Sequence, residues 1–280
     1  MGTDTSGTND SGTIRRDVSS MMDIWVEAAT ELEVQVTVAK LPGMDLVETL
    51  TVSVNGNSIT PEEIIAECGT RIHRFDVDHG NVLVQYSASV NAPADPLTEQ
   101  VGERSMYLRP SRYAEADKFF GYVTAEFDLS KPPIELLFEV SKFVADRLNY
   151  LPGASDPIDG AEDTLLANAG VCRDFAHLVV ALLRALNIPA RLVAVYAPGC
   201  VPMDFHAVAE ALIDGTWLVV DATGLAPRQA LVRIATGRDA ADTAFLDNHS
   251  GNIALNNYEV IATVAGELPV DNGTDHISIG

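Results

Sequence analysis

Cys172 stands at a chemically interesting point of the chain. It is the third residue of the stretch GVCRDFAHLVVALLRALNIPAR, residues 170–191. The apolar spacing there predicts a buried helix running to Leu186 and closed by Pro189. A free cysteine is ordinarily a small core hydrophobe, and Cys68 is read that way. Cys200, in the run PGCVP, reads as a loop residue. Cys172 differs because the first turn of a helix carries unpaired N–H groups and the positive end of the helix dipole. That field favours thiolate over thiol, and the thiolate is the form that attacks a carbonyl carbon. Arg173 adds positive charge, and Asp174 is placed to accept from the free first-turn N–H groups. Cys172 is therefore either a core residue or a nucleophile. A thiol nucleophile needs a base, and the base needs an orienting group.

Two histidines compete for the part of base. His177 lies five residues beyond Cys172, which is about 140° around a helix axis, so it points away. It falls on a polar strip with Arg173 and Arg184 and takes a structural or surface role. His206 opens the run HAVAEALIDGTWLVVDAT, which reads as a hairpin turning at Asp214-Gly215. With a two-residue turn, Ile213 faces Thr216 and Asp221 faces Val208. His206 and Asp221 then become diagonal neighbours on one face. A one-residue bulge would flip that parity and part them. The histidines at 73, 79, 249 and 276 have no visible partner in the sequence. Cys200, Asp204 and His206 have metal-ligand chemistry, but structural zinc takes four ligands in paired spacings, so no metal is expected. Trp217 is expected to pack on the hairpin core, and Asp204 to shape the loop before His206.

Cys172 on a helix start, His206 opening a strand and Asp221 on the next strand resemble, in type and order, the catalytic core of the transglutaminase-like superfamily. The likeness covers roughly residues 130 to 225. Upstream, YLRPSRY and the strand-rich first half resemble the bacterial branch, which has a β-rich N-terminal domain. The resemblance implies an α+β fold: a papain-like, transglutaminase-like core with the cysteine-bearing helix on an antiparallel sheet, preceded by a small antiparallel β domain. It implies Cys172 as nucleophile, His206 as general base and Asp221 as orienter. The reaction would be acyl transfer through a thioester on peptide or protein amide bonds, ending in transamidation, deamidation or proteolysis. The Cys172 backbone N–H would serve as one oxyanion donor. No cofactor is called for, and no EF-hand-like run supports calcium dependence. Two positions depart from the family pattern. Val208 stands where an aromatic often follows His-Ala, and Ala222 where a proline often follows the aspartate. Both bear on substrate preference. The alternative is a non-catalytic protein-binding module that keeps the fold, against which the three intact residue types argue.

These residues need elements to carry them. Residues 20–90 are rich in Val, Ile and Thr with period-two alternation and read as a small antiparallel sandwich, with turns at Asn55-Gly56 and His79-Gly80-Asn81. NAPADPLTEQ, 91–100, reads as a linker. Further on come a helical segment near 112–121, a longer helix capped by Ser130, and a short one over 161–168 stopped by Gly170. ALVRIAT and NYEVIATV are further strands. The expected organisation is a disordered lead over 1–12, a β-rich domain over 13–110 and a catalytic core over 111–280.

Composition narrows the partners. Eighteen basic residues stand against 40 acidic ones, a net charge of −22. Nucleic acid and anionic membrane surfaces both need a basic footprint, so neither is expected. No apolar run is long enough to span a bilayer, and the first residues lack the apolar core of a secretory signal. Three cysteines, an odd number without any CxxC, fit reduced thiols in a cytoplasm.

Overall fold

The computed structural model describes residues 14–279, so the expected lead over 1–12 lies outside the described residues. Seven strands come first: β1 (Arg16–Val26), β2 (Thr30–Val34), β3 (Asp45–Val54), β4 (Asn57–Ile59), β5 (Glu62–Ile65), β6 (Arg71–Val77) and β7 (Gly80–Ala92). Helices α1 (Glu103–Met106), α2 (Phe120–Glu126) and α3 (Pro133–Arg147) lead to β8 (Asn149–Tyr150), α4 (Ala161–Ala167), β9 (Ala169–Gly170) and α5 (Cys172–Ala185). The chain closes with β10 (Ala190–Tyr196), β11 (Phe205–Ile213), β12 (Thr216–Val220), β13 (Val232–Gly237), β14 (Leu246–Asn248) and β15 (Ile253–Val264).

Alternation builds the first half. In β1, Val18, Met22, Ile24 and Val26 point inward while their neighbours stay partly exposed. Facing them across one shared core are Leu32 and Val34 of β2 and Phe75 and Val77 of β6. Two antiparallel sheets result, in the orders β15-β1-β7-β3-β4 and β14-β2-β6-β5. The expected sandwich is present, and the Asn55-Gly56 turn has the positive φ angles that a tight hairpin needs, 51° and 78°.

The expected division at residue 110 does not follow the strand pairing. β15 pairs along β1 from Arg16↔Val264 to Val26↔Ile253, and β14 pairs with β2. Both strands come from the stretch assigned to the core, and both complete the N-terminal sheets. The cores merge as well: Tyr196, Val232 and Ile234 pack in the same cluster as Val36 and Val38. The Tyr196 hydroxyl also bonds the Ser20 hydroxyl, at 2.9 Å, and donates to the Val36 carbonyl at 2.6 Å. The stretch 91–100 is likewise no free linker. Trp217 N–H donates to the Leu97 carbonyl at 3.0 Å, and Glu99 N–H to the Gly215 carbonyl at 3.0 Å.

The second half is a four-stranded antiparallel sheet, order β12-β11-β10-β13, with helices on one face. α5 has one apolar face and a polar strip of Arg173, His177 and Arg184, and every residue from Asp174 to Arg184 is buried. It packs on β10 and β11 and carries α3 and α4 on its outer side. Two sequence-level details change. Ser130 sits in a turn held by Asp128, and α3 begins at Pro133. The left-handed stop of α4 is Asn168, at φ 52°, rather than Gly170. The segment near 112–121 is a short 3₁₀ turn at Ala116–Lys118 running into α2. Among the described residues, no helix is long and apolar enough to cross a membrane.

Candidate active site

Local chemistry fixes the start of α5. Val171 is extended, and its N–H donates to Asp174 Oδ2 at 2.8 Å. That reciprocal contact makes Asp174 a helix-start ligand, as the sequence implies. Gly170 has a different reason from a left-handed turn. A Cβ there would stand 2.7 Å from the Asp174 Cβ, so only glycine leaves the carboxylate room to reach back. β9, the two residues before Val171, pairs with β8, and Leu151 N–H donates to the Gly170 carbonyl at 3.0 Å. This pairing brings the Tyr150 phenol beside Cys172. Burial and the nearby thiols push the Tyr150 phenol up, so it stays protonated. Arg173 turns its guanidinium to Ser155 Oγ at 2.6 Å, the Asp156 carbonyl at 2.8 Å and Asp174 Oδ1 at 3.2 Å. It ties the 155–156 loop to the helix start.

The hairpin register is the two-residue one. Ile213 pairs with Thr216 and Ala209 with Val220 across a turn at Asp214 and Gly215, whose φ angles are 49° and 82°. His206 and Asp221 therefore share a face, and His206 Nε2 lies 2.8 Å from Asp221 Oδ2. Both side chains are almost fully buried. Burial alone would push the imidazole down, but the Asp221 carboxylate outweighs it and holds His206 well above its ordinary value. Burial would likewise raise Asp221, and His206 and Thr223 overcome that to hold it below its ordinary value. The neighbouring Cys172 sulfur also favours the protonated imidazole. With Nε2 committed to Asp221, Nδ1 is the nitrogen left for sulfur.

The structure thus brings Cys172, His206 and Asp221 together. It also supplies groups the sequence reading missed. The Thr223 hydroxyl donates to Asp221 Oδ1 at 2.7 Å and its N–H to the same atom at 2.8 Å, fixing the carboxylate. The signal was available, because Asp-x-Thr is a local turn pattern in which a side chain captures nearby backbone. Tyr150 had no such signal, since it is 22 residues from Cys172 and meets it only through the β8–β9 pair.

Other expectations are met or changed. Asp204 shapes its loop by accepting from Phe205 N–H at 2.7 Å, and Trp217 is fully buried in the hairpin core. His177 points away from Cys172, but it has no surface role. It is fully buried, accepts from Ala240 N–H at 3.1 Å and stacks on Tyr113. Arg184 is buried too, and binds the carbonyls of Ala190, Arg109 and Arg238. The polar strip faces protein because these loops supply its partners. Cys68 is no apolar core residue: it is half-buried, with Sγ 3.2 Å from Arg191 Nη1. Cys200 is a core residue rather than a bare loop position, packed with Val193 and Val208. His73 and His249 find carboxylates, Glu63 at 3.6 Å and Glu33 at 3.2 Å. Among the described residues, the ligand-type trio whose atoms converge is Glu31, Glu33 and His249, not Cys200, Asp204 and His206.

A cavity of about 310 Å³ opens from Cys172 and His206. Its walls come from both halves of the chain, with Gln35 just beyond β2, Leu192 of β10, Leu246 of β14 and Tyr258 of β15.

Comparison with known proteins identifies the family and the fold. The model of the transglutaminase-like superfamily core matches residues 122–222. The crystal structure of a candidate cysteine protease from Cytophaga hutchinsonii is 30% identical, covers 96% of each chain and superposes with a TM-score of 0.82. An uncharacterized protein of Mycobacterium leprae is 26% identical over 145 residues, 49% of this chain and 52% of that protein. Another, from Mycobacterium tuberculosis, is 31% identical over 94 residues, 34% of this chain and 29% of that protein. The matched region therefore spans about half, or less, of these curated relatives.

Proposed function

We propose, since this chain belongs to the transglutaminase-like superfamily, that it is an enzyme of acyl transfer on peptide or protein amide bonds, with Cys172 as nucleophile, His206 as general base and Asp221 as its orienter. The observation that carries the reading is the buried His206–Asp221 hydrogen bond of 2.8 Å beside the Cys172 thiol.

The chemistry follows from that contact. His206 takes the thiol proton, and the Asp221 carboxylate stabilises the imidazolium that forms. Sulfur attacks the amide carbonyl carbon, and the carbonyl oxygen becomes an oxyanion. The Cys172 backbone N–H, free at the start of α5, is the donor offered to that oxygen. His206 then gives its proton to the leaving amine, and a thioester remains on Cys172. Attack by an amine gives transamidation, and attack by water gives deamidation or hydrolysis. Either restores the thiol through His206. Every proton in this sequence moves on His206.

Limiting iodoacetamide near neutral pH, with mapping of the adducts, tests the reading. Burial holds the Cys68 and Cys200 thiols up, so both should react slowly. Cys172 should be alkylated first, and His206→Ala should remove that preference. Equal, sluggish labelling of all three cysteines would count against an activated thiol. A glutamine-containing peptide offered with a labelled amine then separates transfer to amine from transfer to water.

A further inference from the structure

We propose that the cavity beside Cys172 is a side-chain subsite that selects an aromatic residue with a hydrogen-bonding tip, tyrosine above all, and that Gln35 is the residue that reads the tip. This assignment rests on the acyl-transfer reading, since it makes the cavity part of a peptide site.

Two independent observations lead to it. The first is the wall. Phe205 stacks on Phe245 at 5.0 Å and 21°, and Phe245 on Tyr258 at 6.2 Å and 28°. Tyr258 is anchored by donating to Asp204 Oδ2 at 3.1 Å. Leu192 and Ile234 add aliphatic surface to the same cavity. Flat faces of this kind suit a planar ring, which stacks or meets them edge-on. The second observation is Gln35. It lines the cavity, is 8% exposed, and its Oε1 has no hydrogen-bond partner among the described residues. A buried acceptor left unpaired is unfavourable, and turning the Gln35 carboxamide so that Oε1 meets a donor in the cavity removes the penalty.

The two together define the occupant. An aliphatic or phenyl side chain would satisfy the walls and leave Gln35 unpaired. A lysine would pair Gln35 but strip its charge of water against apolar surface. A phenol satisfies both, and because a hydroxyl donates and accepts, it suits either orientation of the carboxamide. An indole N–H donates only, so tryptophan should rank second. At about 310 Å³, the cavity has room for either ring.

The test is calorimetric binding to the full chain carrying Cys172→Ala, which stops turnover. The probes are blocked tripeptide amides that differ at one position: Tyr, Trp, Phe, Leu or Lys. The tyrosine peptide is expected to bind about tenfold more tightly than its phenylalanine counterpart. Gln35→Leu should erase that gap while leaving the phenylalanine peptide bound. Gln35→Glu, which keeps an acceptor at the same reach, should preserve it, and it also serves should the leucine variant fail to fold. Equal affinities, tightest binding by Leu or Lys, a gap insensitive to Gln35→Leu, or no binding by any peptide would overturn the subsite. Catalysis is read separately, on unmodified Cys172. A tyrosine preference in binding without turnover of any acyl donor would overturn the acyl-transfer reading and leave the subsite standing.

Discussion

Asp221 is wholly buried and still ionised, because His206 and Thr223 together outweigh the cost of removing its charge from water. Thr223 matters only through this carboxylate, so it is a positioning residue. Thr223→Val should lower kcat about tenfold with little change in KM, by letting the imidazole lose its fixed orientation. Thr223→Ser should restore most of it, and a rate profile against pH would show whether the base has shifted. His177 gives a second prediction at this scale. Burial pushes it down to about 3, since the charged ring has no solvent and its Nε2 must stay free to accept from Ala240 N–H. In the unfolded chain it titrates near its ordinary 6.5. The folded state therefore binds fewer protons in this window. Its contribution is full above pH 6.5 and is lost as pH falls toward about 3, at roughly 1.4 kcal/mol per pH unit. His177→Gln, which keeps an acceptor but does not titrate, should flatten the fall in urea midpoint between pH 6.5 and 4.5. An unchanged slope would mean that other groups govern acid unfolding.

The start of α5 is the element on which the site turns. Its glycine, cysteine and aspartate serve three linked purposes: space, nucleophile and cap. Gly170→Ala adds a Cβ 2.7 Å from the Asp174 Cβ and 2.8 Å from Oδ2, inside any normal contact. The expected result is a loss of about 1–3 kcal/mol, typical of overpacking, together with slower alkylation of Cys172 as the first turn shifts. Chemical denaturation and thiol labelling measure the two effects separately. The hairpin is the other decisive element. Its Asp214-Gly215 turn sets the parity that puts His206 and Asp221 on one face. A single inserted residue at that turn would move Asp221 to the opposite face of its strand.

At the scale of the whole molecule, a buried charge cluster joins α1 to three strands of the core sheet. Glu210 of β11 bonds Arg191 of β10 at 2.8 Å and Arg233 of β13 at 3.2 Å, and all three are fully buried. Glu103 of α1 adds a contact to Arg191 at 3.1 Å, and the Arg191 guanidinium lies 3.8 Å from the Trp217 ring centroid. Removing one partner leaves buried charge uncompensated. Glu210→Ala should therefore cost about 3–5 kcal/mol in urea unfolding, far more than any exposed ion pair of this chain. The last strands extend the same coupling. β15 closes the first sheet and contributes Tyr258 to the cavity, so this strand is part of both the sandwich and the site.

The pattern of residues alone determined the parts of this protein governed by short-range rules. Alternation marked the strands, Asp214-Gly215 marked the turn, and helix-start chemistry singled out Cys172 from Cys68 and Cys200. Register then follows from turn length, which is why His206 and Asp221 could be paired from spacing. What only the tertiary structure decided is everything that depends on non-local closure. The return of β14 and β15 to the N-terminal sheets, the Tyr150 contact at Cys172 and the meeting of Gln35 with Phe245 all join residues far apart in the chain. Local periodicity shows which face of a strand is apolar, but the same apolar face fits several neighbours. Only packing the entire core selects one of them.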